Sequence, residues 1–263
     1  MTNERVTIAV AGGIADVQLS RPDKLNAIDG EMFTALSEAS AQVAATPGVR
    51  AVVLSGRGRA FCAGLDLGQL AADPGFLPAS ITERTHGAAN LWQHAVWGWR
   101  ELAVPVIAAV HGVAFGGGLQ IALAADIRIV TPDARLAVME TRWGLVPDMA
   151  GIALLRGLVR DDVARELTYT ARQVTGAEAV ALGLATQTAD DPHKAALALA
   201  AQIARTSPRA VRGAKRLFAL AQDSGAEQIL LAESREQEAL LHGPDIAETV
   251  TAQAEGRPPR FAD

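Results

Sequence analysis

The apolar positions change their spacing along the chain. In the first half they gather in short β-branched runs. Val6–Val10 and Ile14–Leu19 flank Ala11-Gly12-Gly13, which predicts a hairpin. Arg50–Ser55, Val106–Val110 and Ile127–Thr131 read as further short strands. Between them the spacing turns helical. Met32, Phe33, Leu36, Val43 and Ala44 share one face, with Asp29 placed to cap that helix and Pro47-Gly48 to stop it. Residues 68–80 read as a loop or a broken helix. Residues 81–103, with Trp92, Trp97 and Trp99, predict a helix that Pro105 ends. Leu119–Ala125 reads as a buried helix. Beyond Gly151 the pattern is mostly helical, with helices expected near 151–158, 160–170, 176–182, 190–205, 208–222, 226–241 and 244–255. Strands alternating with helices, then helices alone, predict an α/β core with a helical C-terminal part.

A chain of 263 residues suits one large domain or a domain with a helical appendage. The division expected is a core over 1–200 and a helical region over 201–263. The net charge of −5 is mild, and no basic run is interleaved with aromatics, which argues against nucleic-acid binding. Gly, His, Asp or Arg interrupts every long apolar stretch, so no bilayer span is expected. Polar residues follow Met1, where a signal peptide would be apolar. A soluble, cytoplasmic protein is the expectation. Cys62 is the only cysteine, so no intrachain disulfide and no cysteine cluster for zinc is expected.

The candidate chemistry lies in Pro105–Gly151. The triplet Gly116-Gly117-Gly118 sits between a buried strand and a helix. Bare backbone N–H groups at such a helix start can face developing negative charge. Close packing of the helix on the sheet is the other reading. No Walker loop and no dinucleotide fingerprint is matched. Glu140 lies between Met139 and Thr141 with Trp143 nearby, where a carboxylate would titrate high and could act as a general base. Asp148 follows across a Gly144–Pro147 turn that could bring both acids to one pocket. Against this, Glu140 could pair with Arg142, and Asp148 could cap the helix beginning near Met149.

Several ordered segments resemble the crotonase, or enoyl-CoA hydratase/isomerase, superfamily. They are RPDKLNAID (Arg21–Asp29), AFCAGLDL (Ala60–Leu67), PVIAAVHGVAFGGGLQIALAADIRI (Pro105–Ile129) and LAVMETRWGLVPDMAG (Leu136–Gly151). TGAEAVALGLA and the terminal EGRPPRF also match. The resemblance implies an α/β, ClpP/crotonase-like spiral of ββα units with a C-terminal helical trimerisation region. It implies an acyl-CoA thioester substrate, and a homotrimer or a hexamer formed as a dimer of trimers. By motif position the N–H groups of Leu65 and Gly117 would form the oxyanion hole for a thioester enolate. Ala63, Arg21, Lys24 and Asp66 would contact CoA, Lys215 would reach the CoA phosphates of its own or a neighbouring subunit, and Arg59 is a further candidate for those phosphates. Coenzyme A would be part of the substrate, and no metal or redox cofactor is implied.

The resemblance also ranks the reactions. Hydratases of the family use two glutamates, and the position of the first is Gln120 here. A carboxamide can hold water but cannot exchange its proton. Glu140 stands where the family's isomerases carry their base. Asp148 stands where dienoyl-CoA isomerases and ring-type enoyl isomerases carry an acid. Double-bond isomerisation is therefore expected, with Glu140, Asp148 and Gln120 as the site. Slow enoyl-CoA hydration, a non-catalytic acyl-CoA binder, and a hydrolase or dehalogenase are the alternatives. His111 and Cys62 read as structural, and core packing is the first reading of the three tryptophans, one or two of which could line the acyl pocket.

Overall fold

A computed structural model describes residues 5–73 and 80–263. Its centre is a six-stranded sheet. β1 (Val6–Ala11) and β2 (Ile14–Leu19) form the expected antiparallel hairpin, closed by Gly12 and Gly13 at positive φ. β3 (Ala51–Gly56), β4 (Val106–Val110), β6 (Ile127–Val130) and β9 (Gln187–Thr188) then add in parallel, in the order β1-β2-β3-β4-β6-β9. A three-stranded sheet carries β5 (Val113–Phe115), β7 (Arg135–Ala137) and β8 (Val174–Thr175) in the order β5-β7-β8. β4, β5 and α4 (Gly117–Ala124) follow one another directly and form one ββα turn of the spiral.

Of the parallel strands, β3 and β4 are buried on both faces, which is why they read as unbroken apolar runs. Val52, Leu54, Val106, Ala108 and Val110 point into the main core, against α1 (Gly30–Ala45), α3 (Leu91–Arg100) and α4. Ala51, Val53, Ile107, Ala109 and Ile129 point the other way, onto Ala196 and Ala200 of α8 (Pro192–Ala204). α8 runs through residue 200, where the division was expected, so the sheet layers continue to Ala204. α9 (Pro208–Ala221), α10 (Ala226–Leu241) and α11 (Pro244–Ala254) follow, as the apolar spacing predicts.

Asp29 caps α1 by accepting from the Met32 N–H at 2.8 Å, and Arg5 holds its carboxylate at 2.7 Å. The helix expected over 81–103 starts only at Leu91. Asn90 and Gln93 form a capping box there, and the Arg84 guanidinium folds back on the carbonyls of Ile81, Thr82 and Ala88. Within the expected loop of 68–80, α2 (Leu67–Ala72) is a short helix; residues 74–79 lie outside the described residues. α4 begins at Gly117 and not at Leu119, which makes Gly117 a first-turn residue. α5 (Gly151–Leu155), α6 (Asp161–Thr170) and α7 (Gly176–Leu182) complete the helices.

Candidate active site

The site forms where the loop after β3 meets the start of α4. Asn26 secures that loop. It is fully buried, and its carboxamide donates to the carbonyls of Arg57, Ala60 and Phe61 at 2.9, 2.9 and 3.1 Å. The Cys62 N–H donates to Val113 O at 3.0 Å, and the Phe115 N–H to Cys62 O at 3.1 Å, so the loop docks on β5. Gly64 permits the closest contact. Its φ is +87°, and a Cβ there would lie 2.6 Å from Phe115 O and 3.7 Å from Gly117 N.

This geometry presents two amides. The Ile28 N–H donates to Gly64 O at 2.8 Å and the Asp66 N–H to Ile28 O at 2.9 Å. In extended chain, successive N–H groups point to opposite sides, so the Leu65 N–H points away from Ile28. Gly117 opens α4, where an N–H has no acceptor within the helix. Among the described residues neither amide has a hydrogen-bond acceptor in the protein. Both residues line one cavity of about 200 Å³ together with Ala63, Gly116, Met139, Glu140 and Trp143. The glycine triplet thus serves both readings. A Cβ on Gly118 would strike Cys62 O at 2.4 Å, which is packing, whereas one on Gly116 would sit 3.1 Å from Glu140 Oε1.

Glu140 begins a 3-10 turn after β7 and is buried. It has no ion pair with Arg142. Its Oε1 accepts from Gln120 Nε2 at 2.6 Å, and Gln120 Oε1 in turn accepts from the Gly151 N–H at 2.8 Å. Its Oε2 is buried and has no hydrogen-bond partner among the described residues. Burial pushes the Glu140 carboxyl above the ordinary carboxylate range; hydrogen bonds, including that from Gln120, oppose the shift, and the Asp148 charge adds to it. Burial likewise raises Asp148. Asp148 does not cap α5, whose cap residue is Ala150 with no side-chain bond. A buried carboxylate with an unsatisfied oxygen, beside two unpaired amides, is suited to take a proton from a carbon next to a carbonyl.

Other expected residues are placed differently. Arg21 is committed to Asp66 at 2.6 Å, to Asp29 and to Ala27 O. Asp66 also caps α2 through the Gln69 N–H. These bonds give both residues a structural task in the loop that borders the cavity. Lys24 and Arg59 are exposed. Lys215 is not brought to the cavity: it donates to Val104 O and Asp126 Oδ2, both at 2.8 Å, at the N-terminal ends of β4 and β6. His111 bonds to Gly58 O at 3.0 Å. Burial pushes the Cys62 thiol up to about 12, which leaves it unreactive. Trp99 is buried, Trp92 stacks on Phe33 and Trp97 bonds to Glu101, so none of them lines the cavity. Trp143 does. Gly151, which holds Gln120, carried no signal of that role in the sequence.

The chain belongs to the enoyl-CoA hydratase/isomerase family, whose pattern matches residues 9–263. It is an enzyme of the hydratase, isomerase or lyase type. It is 35% identical to an enoyl-CoA hydratase homologue of Thermus thermophilus over 95% of this chain and 98% of that one. It is 31% identical to the peroxisomal Delta(3,5)-Delta(2,4)-dienoyl-CoA isomerase of Arabidopsis thaliana, over 93% and 91%. The crystal structure of an enoyl-CoA hydratase from Bacillus anthracis superposes with a TM-score of 0.87 at 29% identity, over 98% of each chain. Among the described residues no helix is long and apolar enough to cross a membrane.

Proposed function

We propose that this enzyme isomerises an enoyl-CoA, moving a double bond from the β,γ to the α,β position through a thioester enolate. Glu140 removes a proton from the α-carbon. The electron pair moves onto the thioester oxygen, which the Leu65 and Gly117 N–H groups stabilise. Protonated Glu140 then returns the proton to the γ-carbon as the carbonyl re-forms, so atoms and charge balance. Asp148, raised by burial, offers a second position for a proton. The thioester's CoA runs past Ala60–Leu67, with Ala63 backbone and the exposed Lys24 and Arg59 near it. The supporting observation is the state of Gln120: its oxygen is occupied by Gly151 and its NH2 by Glu140. No second carboxylate stands there to activate water.

The same reading places the enzyme in the cytoplasm as a homotrimer or a dimer of trimers. Exposed Phe218, Leu230, Leu231 and Leu241 on α9 and α10 supply an apolar face for subunit contact. Supplying a 3-enoyl-CoA and crotonyl-CoA side by side tests the reaction. Isomerisation exceeding hydration by at least about tenfold supports it; faster hydration would replace it with a hydratase.

A further inference from the structure

We propose that Gln120 is a positioning residue that, held by the Gly151 N–H, occupies Glu140 Oε1 and so makes Oε2 the oxygen that carries the migrating proton. The proposal rests on the reading of Glu140 as the base.

The orientation of the Gln120 carboxamide is forced. A backbone N–H can only donate, so the Gly151 N–H requires the amide oxygen to face it. The NH2 group must then face Glu140, as observed at 2.6 Å. An NH2 group can only donate, so the Glu140 oxygen it meets must accept. Protonation there would use its second lone pair and weaken the bond it accepts, so that oxygen is the poorer site for a proton. A proton taken from substrate therefore favours Oε2, which is buried and has no hydrogen-bond partner among the described residues. Gln120 is itself 3% exposed and fixed at both ends, so Glu140 has one rotamer-locked oxygen and one working oxygen.

Gly151 belongs to this arrangement. A Cβ there would lie 2.6 Å from Gln120 Oε1, 2.9 Å from its Cδ and 3.0 Å from Pro147 Cβ. Any side chain at 151 pushes the carboxamide off its donor, although residue 151 does not touch Glu140. Asp148 is the charged group whose field reaches Glu140, and its half-buried carboxylate is unchanged by either substitution below.

Two variants test the relay without altering Glu140. Gln120→Met keeps the volume and removes the hydrogen bonds; Gly151→Ala displaces the carboxamide sterically. The assay is deuterium exchange at the α-carbon of an acyl-CoA thioester, measured against pH together with thioester affinity. The expected result is a loss of about tenfold in the maximal exchange rate, with affinity within about twofold. The acid limb of the profile moves to higher pH, because the donor that opposes the upward shift of Glu140 is gone. A packing role alone leaves the acid limb in place. An unmoved limb in whichever of the two variants folds, or a loss carried by affinity, overturns the proposal. Glu140→Gln is run in parallel. If it exchanges like the wild type, the base assignment fails, which is a different outcome from an unmoved limb.

Discussion

Two buried polar clusters lie at opposite ends of the same parallel strands, and they treat charge in opposite ways. At the N-terminal ends of β4 and β6, Asp126 accepts from Arg100, from the Val106 N–H and from Lys215. Arg128 beside it donates to Leu184 O at 2.9 Å and to Ala125 O. Burial lowers the Lys215 ammonium and brings Arg128 down to about 10, yet each has found partners. Beyond the C-terminal ends, Glu140 is equally enclosed but keeps an oxygen with no partner, and the Leu65 and Gly117 amides are likewise unsatisfied. Buried polar groups are normally paired, because an unpaired one costs about 1–3 kcal/mol. The first cluster ties helices to the sheet. The second leaves polar groups unpaired where the proposed function puts the thioester.

The contrast can be broken by substitution. Among substitutions outside Glu140 itself, the largest effect is expected from Gly64→Ala. A side chain at φ +87° is strained, and its Cβ would meet Phe115 O, so the two amides separate. Exchange at the thioester α-carbon should fall by about 10²-fold, the scale of losing one oxyanion donor; an unchanged rate would remove Leu65 and Gly117 from the mechanism. Arg128→Met should act only on stability. It strands the carbonyls of Leu184 and Ala125, and a urea titration should show a loss of roughly 2–4 kcal/mol, with exchange per folded molecule unchanged. If exchange falls with it, the two ends are coupled and the comparison fails.

A smaller effect sharpens the functional end. The folded-state pKa of Glu140 lies above its unfolded value of 4.5. Its contribution to stability is therefore full below that value and is lost as pH rises through the folded pKa. Glu140→Gln cannot ionise and escapes this loss. The stability of the variant relative to wild type should rise across that window. Urea midpoints at acid and neutral pH measure it, and a difference that does not grow with pH would contradict the burial of a charged Glu140.

Much of this was legible in the sequence, for physical reasons that differ by element. The buried strands β3 and β4 show because sheets covered on both faces need continuous apolar runs. Asp29 shows as a cap because its spacing to Met32 is fixed by helix geometry. The strands β5, β7 and β8 have two or three residues each, too few to display a period, and so they escaped. The helix start at Leu91 is marked by the capping-box spacing of Asn90 and Gln93, which the apolar spacing upstream does not reveal. At the site, Glu140, Asp148 and the glycines stood out by residue type and by resemblance. Asn26 bonding to three carbonyls, and Gly151 orienting Gln120, depend on segments distant in sequence. The pairing of Lys215 was not legible, because a lone cation on a helix gives no sign of the carboxylate it meets; Asp126 lies 89 residues away.

The central claim is that Glu140 is the base and that the thioester binds without it. The direct measurement is deuterium exchange at the α-carbon of an acyl-CoA thioester by wild type and Glu140→Gln, with thioester affinity determined on the same samples. Wild type should exchange the α-proton, and the variant should exchange it about 10²–10⁴-fold more slowly with affinity retained. Equal exchange by the two proteins would contradict the account.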